Sequence, residues 1–230
     1  MTTYYKLTTQ EGMTQNNTQW GENVTHEATG DIQKGLCSDA WIHAYTHPLL
    51  AVLMNPAHAD IENPILWEGK GEGEAKFESE KCGFRKFTTL RQIPLPEVTD
   101  VQKITFGILC VKEVYKDPSW NQWADKWLSG EDRTKSSANA ANAASASASA
   151  SASASASASA SASASNAAYA AAYVAYAARA AANAEYVANA ASASASASAS
   201  ASAYAAESAA KATGKELDFV SIALKAVKEL

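Results

Sequence analysis

The chain has few cysteines, few prolines and no long run of large apolar residues. Only Cys37, Cys82 and Cys110 occur in 230 residues. Their number is odd, their spacing is wide and no CxxC pair exists, which excludes a disulfide framework and fits reduced thiols. The start, MTTYYKLTTQ, lacks a basic stretch followed by an apolar one, so no signal peptide is expected and the sequons at Asn16 and Asn23 read as empty. Charged residues make up only 19% of the chain, and the net charge is −5 without a basic cluster. That balance argues against binding nucleic acid or anionic lipid. GxSxG, HExxH and GxxxxGK[ST] are all missing.

What is present is unevenly distributed. All 6 Trp and all but one of the 5 Phe fall before residue 131, while Ala and Ser dominate from there on. The front part can therefore build a true core, and the composition breaks near Gly130. Three regions are expected: an α/β globular domain at 1–130, an Ala/Ser-rich low-complexity helical region at 131–214, and an amphipathic helix at 215–230. The fold class is α+β, a small mixed or antiparallel sheet with packed helices followed by the long Ala/Ser-rich helical region.

Within the front part, TYYKLTT (3–9) suits a first strand, and residues 10–35 read as loop or hairpin. HPLLAVLMNP (47–56) predicts a short helix with Pro48 in its first turn and Pro56 closing it. NPILWEGKGEGEAKF (63–77) reads as two strands around a glycine-rich turn, EGKGEGE, with an acidic solvated face. FRKFTTLRQIPLP (84–96) is a strand stopped by Pro94 and Pro96. Val101, Ile104, Ile108, Val111 and Tyr115 share one face of a helix over 100–115. Trp120, Trp123 and Trp127 form the strongest periodic signal, on a helix over 118–130 with a Ser119/Gln122 capping box and Gly130 as C-cap. This stripe reads as a core contact with the sheet, with an aromatic ligand cage as the alternative.

The Ala-rich part poses a conflict of periods. Ala and Ser alternate within the stretch Asn142 to Ser165 and again from Ala191 to Ala203, which is the period of a strand. Between the tracts, however, Tyr169, Tyr173, Tyr176 and Arg179 are spaced four, three and three, which is helical. Replacing Ala by Ser in a helix costs at most ~0.5 kcal/mol per residue. A lone strand of such length would lack partners. Helix is the expectation, in pieces 134–165, 166–189 and 190–213 that would form rods of roughly 35–50 Å. Gly214 ends the tract, and Leu217, Val220, Leu224 and Val227 are expected on one side of the last helix. A tract without titratable groups does no chemistry; it spaces, packs or assembles. Half its residues carry a hydroxyl, so a membrane span is not expected.

Candidate site residues are sparse. His43 and His47 stand four apart, with His58 and Asp60 downstream, but Pro48 starts the helix after His43, so a shared metal-binding face is not expected. The weak catalytic candidates are His43, Tyr45 and Glu68. No metal and no cofactor is expected.

At LCSDAWIHAYTHPLLAVLMNPAHADIENPILWEG, TTLRQIPLPEVT, FGILCVKEVY and WADKWLSGEDR the chain resembles a family of bacteriophage and bacterial proteins, over about residues 4–135. The resemblance implies this N-terminal domain followed by an Ala-rich helical tail, and no activity. A weaker likeness, in Ala40–His43 followed by a helix and the ILWEG strand, is to small ADP-ribosyltransferase-like domains. Ala40 stands where they have Gly, and neither their late catalytic Glu nor their first-strand Arg or His is matched. The expected function is a non-enzymatic, phage-type accessory protein, cytoplasmic in the host or in the virion, whose tail mediates self-association or binds a protein partner. A nucleotide- or NAD-binding head acting on host signalling is the alternative.

Overall fold

In a computed structural model, residues 2–134, 136–141, 190–212 and 214–228 are described. The first Ala/Ser tract and the Tyr-rich segment lie outside them. The chain divides into two units, Met1–Glu97 and Val98–Leu230. The boundary precedes the composition break near Gly130, because the two helices that follow Glu97 pack with the Ala-rich segment.

The first unit is an antiparallel sheet with one helix. Its strands are β1 (Tyr4–Thr8), β2 (Met13–Thr14), β3 (Thr18–Gln19), β4 (Thr25–Glu27), β5 (Ile42–Ala44), β6 (Ile65–Phe77) and β7 (Cys82–Ile93). β2 and β3 form a separate small hairpin. In the main sheet β6 pairs with β1 on one edge and β7 on the other, and β7 pairs in turn with β5 and β4. Tyr45, just after β5, exchanges two backbone hydrogen bonds with Tyr5 of β1, at 2.9 and 2.8 Å. The pairings β1–β6–β7–β5–β1 therefore run in a ring, as in a small barrel, which satisfies edge groups that an open sheet would expose. Trp20, Ala44, Cys82, Phe84 and Phe87 form one buried cluster of this unit.

The glycine-rich segment EGKGEGE is not a turn. It runs through the middle of β6 with bulges at Glu68/Gly69 and Glu72/Ala75, and the chain reverses later, where Glu78 N–H donates to Lys81 O at 2.9 Å. The physical reason lies across the sheet. A Cβ on Gly69 would collide with the ring of Phe87, and one on Gly71 with the ring of Phe84. Glycine here makes room for aromatics.

Helix α1 (Pro48–His58) starts as expected, with Pro48 at its first position and the His47 ring accepting from Leu49 N–H. Pro56 does not close it: the helix continues to His58. A proline so near the C-terminus removes one hydrogen bond in the last turn and leaves the preceding turns intact.

The second unit is helical among its described residues. α2 spans Asp100–Val114 and starts with a capping box from Thr99 and Gln102. α3 spans Pro118–Ser129, ends at Gly130 in the left-handed region (φ 79°), and is capped by Asp117, whose carboxylate accepts from Trp120 N–H at 2.8 Å. The Ser119/Gln122 box is thus displaced by the charged Asp117, with Ser119 donating to the same carboxylate. The cluster around Trp120, Trp123 and Trp127 draws on Ile104, Ile108 and Val111 of α2 and on Ala138 and Ala141, all in this unit, where the sequence suggested the sheet.

The second Ala/Ser tract is helical: α4 spans Ala190–Ala212. It packs on α2, where Gly107 admits the backbone of Ala199; a Cβ there would lie 3.0 Å from Ala199 O. Ser200 and Ser202 are buried, yet each hydroxyl donates to a carbonyl of its own helix, Ala197 O at 3.1 Å and Ser198 O at 2.7 Å. Serine thereby becomes a small residue with no outstanding demand, and burying it costs little. Gly214 (φ 70°) ends the tract, with Lys215 N–H donating to Ala210 O. α5 (Phe219–Lys228) packs on α2; Leu217 of the expected apolar side is buried and Val220, Leu224 and Val227 are half-buried, while Phe219, Ala223 and Ala226 beside them are the fully buried residues. Phe219 meets Phe106 at 6.0 Å, and this large contact sets the helix rotation.

Candidate functional site: a silent polar line and an aromatic cleft

The three sequence-derived candidates do not converge. His43 lies in β5 and keeps an exposed edge, while its Nε2–H turns inward and donates to Leu36 O. Partial burial lowers its pKa. Glu68 lies in β6, where its carboxylate accepts from Arg91 Nε–H at 2.7 Å. Tyr45 and Glu68 both stand opposite Tyr5, on its two edges, so one backbone strand separates them. His47 serves as the cap of α1 and shares no helical face with His43.

Tyr45 instead belongs to a buried polar line that the sequence did not reveal. Its ring stacks on His58 at 5.9 Å, and its hydroxyl lies 3.4 Å from His58 Nδ1. His58 Nε2 lies 3.8 Å from the buried Glu80 carboxylate. His58 was visible as a histidine at the end of a helix. Glu80 carried no signal, because it sits in the reversal that the glycine pattern placed elsewhere.

This Tyr–His–Glu order resembles a proton relay, but burial shifts the pKa values of its Tyr and His in opposite directions, away from neutral pH. Burial, reinforced by the charges of Lys81 and His43, pushes His58 down to about 3. Burial, with Glu80 and Cys82 adding to it, pushes the Tyr45 phenol well above its usual range. A general base works best with a pKa near the operating pH. Both shifts move the pair away from neutral pH, and the contacts of His58 tie α1 to Tyr45 and to Glu80.

The second unit contains a cleft of about 390 Å³. Tyr115, Trp120 and Trp123 provide its aromatic surface, and Asp117 and Asp132 stand at it with Lys126. Trp120 meets Tyr115 edge-on at 5.7 Å and Trp123 at the same distance. Hydrogen bonds from Ser119 and the Trp120 N–H hold the Asp117 carboxyl below its usual range; those from Thr134 and Ser137 do so for Asp132. Ser137, Ala140 and Ala141, where the Ala-rich sequence begins, complete the wall. The indole N–H groups of Trp120, Trp123 and Trp127 are buried without an acceptor among the described residues, so no indole hydrogen bond holds the stripe there, while the Arg133 guanidinium lies 4.9 Å from the centre of the Trp127 ring. The cleft can receive an apolar group, and two hydroxyl–carboxylate pairs, Ser119–Asp117 at 2.6 Å and Ser137–Asp132 at 3.0 Å, stand at it.

Among the described residues no helix is long and apolar enough to cross a membrane. No family model, curated protein or solved structure matches the chain.

Proposed function

We propose that the protein is a non-enzymatic binding and assembly protein, in which Ala/Ser-rich sequence serves as a helical packing surface for a second copy or another protein. One observation carries this reading. Each described piece of Ala-rich sequence is helical and presses small side chains onto large ones: Ala138 and Ala141 against the Trp stripe, and α4 against α2. Small residues allow close backbone approach, and self-satisfied serines make the surface tolerant of burial. We extend the same helical packing role to the remaining Ala/Ser sequence, 142–189, which lies outside the described residues. The resemblance to phage and bacterial proteins with Ala-rich tails makes a phage-type accessory role the natural setting.

The experiment compares the full chain with a variant lacking residues 142–189 by analytical ultracentrifugation and far-UV circular dichroism. The full chain is expected to self-associate with rising concentration and to lose both that behaviour and helical signal on deletion. Equal sedimentation of the two proteins at all concentrations would remove self-assembly. Unchanged helical signal per molecule would remove the helical extension.

A further inference from the structure

The first unit contains a cysteine with an unusual neighbour. Lys81 is buried, 6% exposed, and its ammonium donates to Cys37 Sγ at 3.0 Å. No carboxylate lies within ion-pair distance of Lys81 among the described residues, and the sulfur is its only side-chain hydrogen-bond acceptor there. A buried ammonium demands a strong acceptor, and a thiol is a weak one. Yet the Lys81 pKa is raised, since the contact with Cys37 and the charges of Glu80 and Glu78 outweigh burial. An oxygen bonded to the Cys37 sulfur would be a stronger acceptor for this ammonium than the sulfur itself. Cys37 is exposed, whereas Cys82 and Cys110 are buried. Cys82 donates to Ala44 O, and burial raises both of these thiols, Cys82 to about 12.

We propose that Cys37 is a peroxide-reactive thiol and that Lys81 positions the reacting oxygens. The Cys37 sulfur attacks one oxygen of hydrogen peroxide and the O–O bond breaks. The departing oxygen takes the thiol proton and leaves as water. Sulfur is oxidised by two electrons to a sulfenic acid, and peroxide is reduced by two. Lys81 stands where it can donate first to the oxygen on which charge develops and then to the sulfenic oxygen, a stronger acceptor than the thiol sulfur. The geometry predicts the first step of the cysteine oxidation ladder at one chosen thiol of three.

The test treats the folded full chain with hydrogen peroxide in the presence of dimedone and maps the adducts by peptide mass spectrometry. Cys37 is expected to be labelled at least about ten-fold faster than Cys82 or Cys110. Lys81→Met should slow Cys37 labelling at least about ten-fold, and Lys81→Arg should restore most of the rate. A second comparison needs no variant: Cys37 in the folded chain should react faster than the same thiol in guanidinium, although unfolding exposes it fully. Labelling of all three thiols at one rate would overturn the proposal. So would a Lys81→Met protein that folds and reacts like the parent, or a Cys37 that reacts faster when unfolded.

Discussion

His58 is buried neutral, and its neutrality has a thermodynamic sign. Its pKa falls from 6.5 to about 3 on folding, so between those values the unfolded chain binds more protons. The stabilising effect of this neutral ring is complete above pH 6.5 and is lost as the pH falls towards 3, at up to ~1.4 kcal/mol per pH unit. His43 and His47 are lowered too and add to the same trend. His58→Gln should therefore flatten the fall in urea-unfolding free energy between pH 6.5 and 5; an unchanged slope would show that His58 is protonated within the fold. Lys6 presents the opposite case, a buried group that carries its charge at neutral pH. Its buried ammonium donates to His43 O at 2.9 Å and lies over the Trp20 ring, and burial pushes it down to about 8. The charged form is penalised at every pH below 8, and the penalty disappears as the pH rises towards 10.5. Lys6→Met should stabilise the protein at pH 7 by roughly 1–3 kcal/mol, with the gain vanishing near pH 10.5. Thermal melts at pH 7 and 10 measure it, and destabilisation at pH 7 would refute it. Neither residue was legible in advance. A sequence shows that a histidine or lysine exists, but its titration depends on which strands close over it.

At the scale of elements, the pattern was legible where one force acted alone. The first strand, the helices after Pro48, Asp117 and Thr99, and the left-handed stop at Gly130 follow from local chemistry. It failed where distant side chains decided. Gly69 and Gly71 look like turn residues until Phe87 and Phe84 are seen above them, and the rotation of α5 depends on where Phe106 stands. Gly107 of α2 makes this argument quantitative. In an isolated helix Gly→Ala gains up to ~1 kcal/mol. Here the new methyl would meet the backbone of Ala199, which cannot yield as a flexible side chain would. Gly107→Ala should therefore give no gain, and Gly107→Leu should cost more than ~2 kcal/mol in chemical denaturation. A clear stabilisation by Gly107→Ala would mean that α4 does not seat on α2.

For the whole molecule, the composition break divides bulky side chains from small ones, but not one folded unit from the next. The second unit combines α2 and α3 with the Ala-rich helix because two large-residue helices need a surface to cover and Ala/Ser helices need large residues to cover them. The candidate site was legible only as the Trp stripe; its walls at Asp132 and Ser137–Ala141 come from the segment that composition alone would have set apart. This unequal partnership predicts unequal sensitivity to length. Residues 199–206 of α4 include six buried positions, Ala199, Ser200, Ser202, Ala203, Ala205 and Ala206. Removing them deletes the contact with α2 and should abolish cooperative unfolding of the second unit. Removing eight residues from within 146–161 takes away only Ala and Ser from a tract without a bulky anchor. Less than about 1 kcal/mol in total should then be lost, so the thermal midpoint should move by less than about 3 °C. Circular-dichroism melts of both deletions decide the matter: a loss of stability on removing 146–161 residues as large as that on removing 199–206 would show that the first tract is part of the packed core and not an extension available for assembly.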